Sequence, residues 1–325
     1  MCVFPPALPP CAPHRPAPRL VIVGETLGLV VHPSKPVDSS VRTISAYART
    51  HGVRIVVRAA DAPRVPGFEA LPDAEFADAV DWVISLGGDG TMLGALRLVM
   101  ERPVPVLGVN HGNLGFLVEV FPTQLEAALE ALVHNEFTIE PHSCLVAGTD
   151  VPGAVAGFND LVLTRLGRGA VSVDLTVNGQ QFGYYKCDAL VVATPTGSTA
   201  YNYAAGGPVI SPSAAAMVVT PVAPMAGVSR SVVLGPNDEV RLHVAGDSAA
   251  VGVEVDGVES ETLAHDGVLT ARLRQDAAKV VRLAAGAHAS RSRVKLSLLD
   301  LPLRPDQLLE LVPGHLRQRL EGPGE

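Results

Sequence analysis

Four short segments of this sequence hold glycines, hydroxyls and carboxylates at spacings that could do chemistry. The first is Gly87-Gly88-Asp89-Gly90-Thr91, at the exit of a predicted strand and the start of a predicted helix. Glycines there let the backbone approach a ligand and adopt positive φ, which a Cβ would penalise. The helix N-terminus adds free N–H groups and a positive dipole, both suited to phosphate. A carboxylate in that turn can take a proton from a hydroxyl or hold a metal ion. The plainer reading is a tight turn with Asp89 as helix cap. The pattern is neither the P-loop nor the dinucleotide GxGxxG, so those mechanisms do not transfer.

The second segment, Asn110-His111-Gly112-Asn113-Leu114-Gly115-Phe116-Leu117, follows the next strand exit. Ligands gather at the carboxyl ends of strands in open parallel sheets, so two glycine-rich exits can line one crevice. Alternatively Phe116 and Leu117 simply pack in the core, and His111 is an ordinary loop histidine. The third, Asn159-Asp160, heads an apolar strand and can hydrogen-bond an adenine amino group or ribose hydroxyls; the same pair is also a common strand lead-in. The fourth runs from Asp188 to Pro208. A buried strand, Leu190 to Ala193, delivers Thr194-Pro-Thr-Gly-Ser-Thr-Ala-Tyr-Asn-Tyr-Ala-Ala-Gly-Gly-Pro208. That loop offers donors and close backbone approach but almost no apolar area to pack, so ligand contact is its natural purpose.

Positioning these loops takes a framework, and its texture changes along the chain. Residues 20–140 alternate short apolar runs with amphipathic stretches: a strand leaving into a proline-containing loop over 27–36, strands at 51–58, 81–86 and 104–109, and helices at 37–50, 91–101 and 124–133. Alternation of this kind predicts right-handed crossovers and a Rossmann-like, mostly parallel sheet. From residue 141 to 300 the period falls to two. Val171, Val173, Leu175 and Val177 run into Asn178-Gly179, and Val251, Val253 and Val255 into Asp256-Gly257, each a hairpin signal. An antiparallel β-sandwich is expected there, with further strands at 240–244, 268–272 and 294–298. Residues 1–19, with seven prolines in the first 18, read as a disordered tail, and 301–325 as an extension without a predicted place.

Composition narrows the function. A net charge of −8 disfavours a nucleic-acid or anionic-membrane partner but not a phosphate-bearing ligand, which backbone amides and metal ions can hold. No run approaches the roughly 20 apolar residues of a membrane span. Cys2, Cys11, Cys144 and Cys187 lack metal-ligand spacing and fit reduced thiols in a cytoplasmic protein.

The four segments, in this order, resemble the signatures of the NAD kinase family: GGDGT at 87–91, NHGNLGFL at 110–117, the Asn159-Asp160 pair, and DALVVATPTGSTAYNYAAGGPVISP at 188–212. The resemblance covers about residues 27 to 260. GGDGT alone is shared with lipid kinases and phosphofructokinases; the 188–212 segment is the specific one. The family implies ATP as phosphoryl donor, a divalent metal ion with Mg²⁺ favoured, NAD as acceptor at its adenosine-ribose 2′-hydroxyl, and homodimers or homotetramers whose subunits complete one another's sites. Carried over, Asp89 resembles the general base, and Gly87, Gly88, Gly90 and Thr91 the phosphate loop. Gly90 and Phe116 resemble NAD contacts, the latter lining the adenine pocket. Asn159 and Asp160 resemble the pair that grips adenosine. Asp188, with Thr199, Ala200, Tyr201, Asn202, Tyr203 and Ala204, resembles the wall around the rest of the dinucleotide. Arg168 and Lys186 fall near its basic contacts.

The chain departs from the family at Asn202 and Tyr203, at Pro224-Met225 where a Pro-His is common, and at Val258 where a glutamine follows Asp-Gly. Two rivals remain: a lipid kinase, which the charge and the 194–201 loop disfavour, and a nucleotide-sensing module without catalysis, which retention of Asp89 disfavours.

Overall fold

A computed structural model describes residues 25–112, 115–149 and 154–283. The expected tail at 1–19, the strand at 294–298 and the extension at 301–325 lie outside the described residues. The first half contains β1 (Thr26–Val31), α1 (Asp38–His51), β2 (Arg54–Arg58), β3 (Glu69–Leu71), α2 (Asp73–Ala79), β4 (Trp82–Gly87), α3 (Asp89–Leu98), β5 (Pro105–Asn110) and α4 (Leu125–Val133). Its strands pair in parallel in the order β5-β4-β1-β2-β3. Parallel strands need helical crossovers, which cover both faces and bury the strands on both sides. Accordingly β4 and β5 are buried throughout. Ile44 and Tyr47 of α1 pack with Leu125 and Leu129 of α4 on one face, and Phe76 of α2 with Met92 and Leu96 of α3 on the other.

The second half contains β6 (Thr138–Thr149), β7 (Ala154–Gly157), β8 (Asp160–Leu166), β9 (Val171–Val177), β10 (Gln180–Cys187), β11 (Ala189–Ala193), α5 (Tyr201–Ala204), β12 (Met217–Val222), β13 (Ala226–Gly227), β14 (Val232–Leu234), β15 (Glu239–Val244), β16 (Ala250–Val255), β17 (Val258–Leu263) and β18 (Val268–Arg282). One antiparallel sheet runs β14-β12-β11-β8-β16-β17. The facing sheet runs β13-β10-β9-β15-β18, and the inward rows of the two, including Leu163, Leu190, Val253, Val173, Tyr185 and Leu242, form a single apolar core.

The alternation that predicts a strand at 268–272 captures only the first third of β18. After an irregularity between Arg274 and Ala278, β18 continues to Arg282, and Lys279 and Val280 pair in parallel with Pro105 and Val106 of β5. One long strand therefore carries the sandwich sheet into the parallel sheet, and its partner β6 spans the sequence position where the texture changes. Its end brings Arg282 to the Leu117 carbonyl, in the segment that follows β5.

Candidate active site

The carboxyl ends of β1 and β4 open on a cleft of about 510 Å³, lined by His32, Lys35, Arg58, Gly88, Asp89, Gly90, Thr91 and Gly115, among others. Helix α3 starts at Asp89, two residues before the expected start, because Gly88 takes the extended N-cap conformation and lets the first helical turn face the cleft. The Gly87–Thr91 turn is thus where the sequence pattern requires it, and Thr91 packs its side chain back over Gly87.

Asp89 is the first residue of the helix rather than its cap, a place Gly88 takes without any side-chain cap hydrogen bond, and its carboxylate is used elsewhere. Oδ2 accepts the Phe116 N–H at 2.6 Å, and Oδ1 accepts those of Leu117 and Val118 at 3.0 and 3.3 Å. One carboxylate therefore ties the exit of β4 to the segment after β5. A carboxylate offers about four lone-pair positions. Three are used here, so Oδ2 keeps one acceptor direction.

Beyond that strap lies a second pocket of about 250 Å³, lined by apolar Phe116, Leu117, Pro195 and Ile210 and by polar Thr196 and Thr199. Its floor carries a charged cluster that no sequence motif announces. Glu140 accepts from His142 Nε2 at 2.8 Å and from Arg282 Nε at 2.7 Å, and Arg282 also donates to the Leu117 carbonyl at 2.8 Å. His142 Nδ1 lies 3.3 Å from the Thr196 hydroxyl. Burial opposes ionisation of Glu140, but the hydrogen bonds from His142 and Arg282 outweigh it and hold the carboxyl well below its usual range.

Above this pocket the Asn159-Asp160 turn and the 194–200 loop are stacked. The Thr194 N–H donates to the Asn159 carbonyl at 2.9 Å, and its hydroxyl to the Phe158 carbonyl at 2.6 Å. Position 197 must be glycine, since a Cβ there would lie 1.9 Å from the Asn159 carbonyl oxygen. The turn is pinned from the other side by Asp256, whose fully buried carboxylate accepts the N–H groups of Phe158, Asn159 and Asp160 at 2.6–3.2 Å and pairs with Arg97 of α3 at 3.4 Å. Burial, reinforced by the Asp256 and Glu254 charges, pushes the Asp160 carboxyl up to about 7, against the opposing effect of the Tyr201 N–H.

Of the expected residues, Gly88, Asp89, Gly90 and Thr91 line the first cleft and Phe116 and Thr199 the second, while Gly87 lies under Thr91. Asn159 and Asp160 line neither but bond the backbone of Thr194 and the exposed Tyr201 on the loop that also carries Ala200. Asn202 faces inward instead. It is fully buried, donates to the Ser198 and Pro208 carbonyls at 3.0 Å each and accepts from Thr220 at 2.7 Å, so it shapes the loop. Tyr203 is half-buried, and Ala204 is exposed in the short α5. Three residues stand apart. Asp188 lies at the opposite end of β11 from this loop, paired with Arg165 at 2.8 Å, and the exposed Arg168 follows the matching end of β8. A five-residue strand separates those ends by roughly 16 Å. Lys186, on β10 of the facing sheet, pairs with Asp247.

Glycine-rich exits from a parallel sheet, a carboxylate at their junction and a second hollow walled by hydroxyls define an enzyme that moves phosphoryl groups between nucleotides. Comparison with known proteins gives the acceptor. Family models described as the ATP-NAD kinase N-terminal and C-terminal domains match residues 28–137 and 159–283. The NAD kinase of Moorella thermoacetica is 32% identical over 280 residues, spanning 84% of this chain and 89% of that one. The NAD kinase of Bacteroides fragilis is 38% identical over 206 residues, 62% of this chain and 71% of that one. Among solved structures, a yeast NADH kinase complexed with NADH superposes with a TM-score of 0.77 at 20% identity, covering 86% and 89% of the two chains. An Archaeoglobus fulgidus NAD kinase in complex with ATP gives 0.65 at 23%, covering 85% and 98%. The chain belongs to the NAD kinase family and phosphorylates NAD with ATP as the donor.

Proposed function

We propose that Asp89 is the general base of this transfer and that the two hollows divide the reactants between them. ATP lies in the cleft over Gly87–Thr91, where the first turn of α3 offers N–H groups to its phosphates. The adenosine of NAD lies at the second pocket, between Phe116 and the Thr196–Thr199 loop, within reach of Asn159 and Asp160. What carries the reading is the position of Asp89: it lines the first cleft, and its carboxylate ties down the backbone of Phe116 and Leu117, which line the second. The 2′-hydroxyl oxygen attacks the γ-phosphorus as its proton passes to Asp89 Oδ2. A new phosphorus–oxygen bond forms, the bridging bond to the β-phosphate breaks, and ADP leaves with that electron pair. Holding both reactants in register is worth about 7–11 kcal/mol of the barrier, and a positioned base about 10²–10⁴-fold.

A divalent ion fits this cleft as a nucleotide-borne one. Among the described residues no group of three or more His, Cys, Asp or Glu side chains could hold a metal, and Asp89 is the one carboxylate lining the cleft. Mg²⁺ is commonly held by one or two carboxylates together with substrate phosphates and water. Bound with ATP, it would neutralise charge on the phosphates.

The remoteness of Asp188, Arg168 and Lys186 supports a homo-oligomer in which a second copy brings that strand end to the dinucleotide. No helix among the described residues is long and apolar enough to cross a membrane, and Cys144 and Cys187 are free and buried, in keeping with a cytoplasmic setting.

Incubation with ATP, Mg²⁺ and NAD, read by an NADP-specific dehydrogenase, tests the activity. Asp89→Asn should keep NAD binding and lose about 10²–10⁴-fold in turnover; undiminished NADP formation by that variant would overturn the role of the base.

A further inference from the structure

The loop leaving β1, His32-Pro33-Ser34-Lys35-Pro36, belongs to none of the four chemical segments, yet His32, Pro33 and Lys35 wall the Asp89 cleft. Its backbone is held on both sides of Lys35. His32 Nδ1 accepts the N–H groups of Ser34 and Lys35 at 3.1 and 3.2 Å, and the Lys35 carbonyl accepts the Arg64 guanidinium at 2.6 Å. Pro33 and Pro36 fix two further φ angles. Burial, with Lys35 and Arg64 nearby, lowers the His32 pKa, which favours the neutral ring that can accept these bonds.

The clamp aims the side chain. The ammonium lies over both glycine loops: a Cβ at Gly112 would sit 2.0 Å from Lys35 Nζ, and one at Gly88 3.7 Å from it. Glycine at 112 therefore leaves the space the ammonium occupies. The neighbouring cation, Arg58, is engaged by Asp61 and Asp73. Among the described residues Lys35 has no such carboxylate partner. In a protein of net charge −8, an uncompensated cation fixed over two glycine loops is built to meet an anion.

We propose that Lys35 is a donor-phosphate ligand, taking the terminal phosphates of ATP between the Gly88 and Gly112 loops. The assignment rests on the first cleft being the ATP site. The NAD pyrophosphate has the same chemistry, so the test must tell the two apart.

Steady-state NADP formation is measured for K35A, K35R and G112A, with ATP and NAD varied separately. Inorganic tripolyphosphate is titrated calorimetrically in parallel. Losing one charge-assisted contact should raise the KM for ATP and weaken tripolyphosphate binding by at least about tenfold in K35A, with the KM for NAD unmoved. K35R should recover part of the loss, and G112A, which pushes a Cβ into the ammonium's position, should share it in milder form. Unchanged KM for ATP and unchanged tripolyphosphate affinity in K35A would overturn the proposal. So would a shift confined to the KM for NAD. Should the wild type form no NADP, the reading of the reaction fails on its own, while the tripolyphosphate titration still decides the fate of Lys35.

Discussion

Removing the Asp256 carboxylate tests how the acceptor side of the site is held. The side chain is fully buried and accepts three backbone N–H groups from Phe158–Asp160, while Arg97 of α3 neutralises it at 3.4 Å. Breaking a buried pair by deleting one partner costs about 3–5 kcal/mol. Arg97 is 30% exposed and can rehydrate, which places Asp256→Ala at the lower end, near 3 kcal/mol. Asp256→Asn keeps one carbonyl oxygen and should lose about half as much. The Asp160 carboxyl adds a pH signature. Its pKa is about 7 because burial, then Asp256 and Glu254, disfavour its charge. Below pH 7 Asp160 is mostly neutral and gains little when Asp256 is removed; above pH 7 it is charged and is relieved. Asp256→Ala should therefore be less destabilising at pH 8 than at pH 6. Urea unfolding at both pH values measures this, and kinetics should show the KM for NAD rising more than the KM for ATP, because the loosened turn carries Asn159 and Asp160. An Asp256→Ala protein within about 0.5 kcal/mol of wild type, with unchanged KM for NAD, would refute the reasoning and leave the 194–200 loop as the element that holds the turn.

Other substitutions give separate checks. Raised above its ordinary 3.8, the Asp160 pKa stabilises the fold most below pH 4, and that contribution is lost as pH rises to about 7. Asp160→Asn should flatten this slope in a melting series from pH 4 to 8. Glu140 has the opposite sign: its folded pKa is depressed from 4.5, so its contribution is present above that pH and lost as pH falls below it. Glu140→Gln should therefore lessen acid sensitivity between pH 5 and 3, seen as a smaller drop in unfolding midpoint. Asn202→Ala removes the partners of two carbonyls and of the Thr220 hydroxyl in a buried loop, and should cost about 2–3 kcal/mol in denaturant melts.

The framework and the loops were legible in the sequence for related reasons. A parallel sheet buries both faces of its strands, so β1, β4 and β5 stand out as apolar runs, and the polar loop after each run stands out by contrast. Gly87–Thr91 and 194–200 could be found because small polar residues at a strand exit pack so poorly that they need another purpose. β3 and α2, three and seven residues long, were too short to show a period. The second half of β18 was hidden by its irregularity, after which Ala277, Ala278, Val280 and Val281 are all buried and the alternation disappears.

What the sequence withheld were residues whose role depends on distant partners. Glu140 and Arg282 are far apart in the chain and meet only because β6 and β18 pair along their length. Asp256 has the pattern of the first residue of an Asp-Gly hairpin turn, and it is one, with φ of 49°. That left-handed backbone leaves its carboxylate facing the Phe158–Asp160 backbone, a contact no local spacing encodes. Lys35 had only the signal of a proline on either side of the Ser34-Lys35 pair. Motifs therefore located the loops proposed to meet the nucleotides, while the groups that hold those loops in register came from the sheet pairing. The same logic separates Asn202 from Tyr201: adjacent in one polar loop, they differ in that Asn202 closes two hydrogen bonds inside the loop and a third to Thr220 of β12, while Tyr201 is left exposed. A polar residue in a ligand loop is a contact only when the loop's own backbone has not already claimed it.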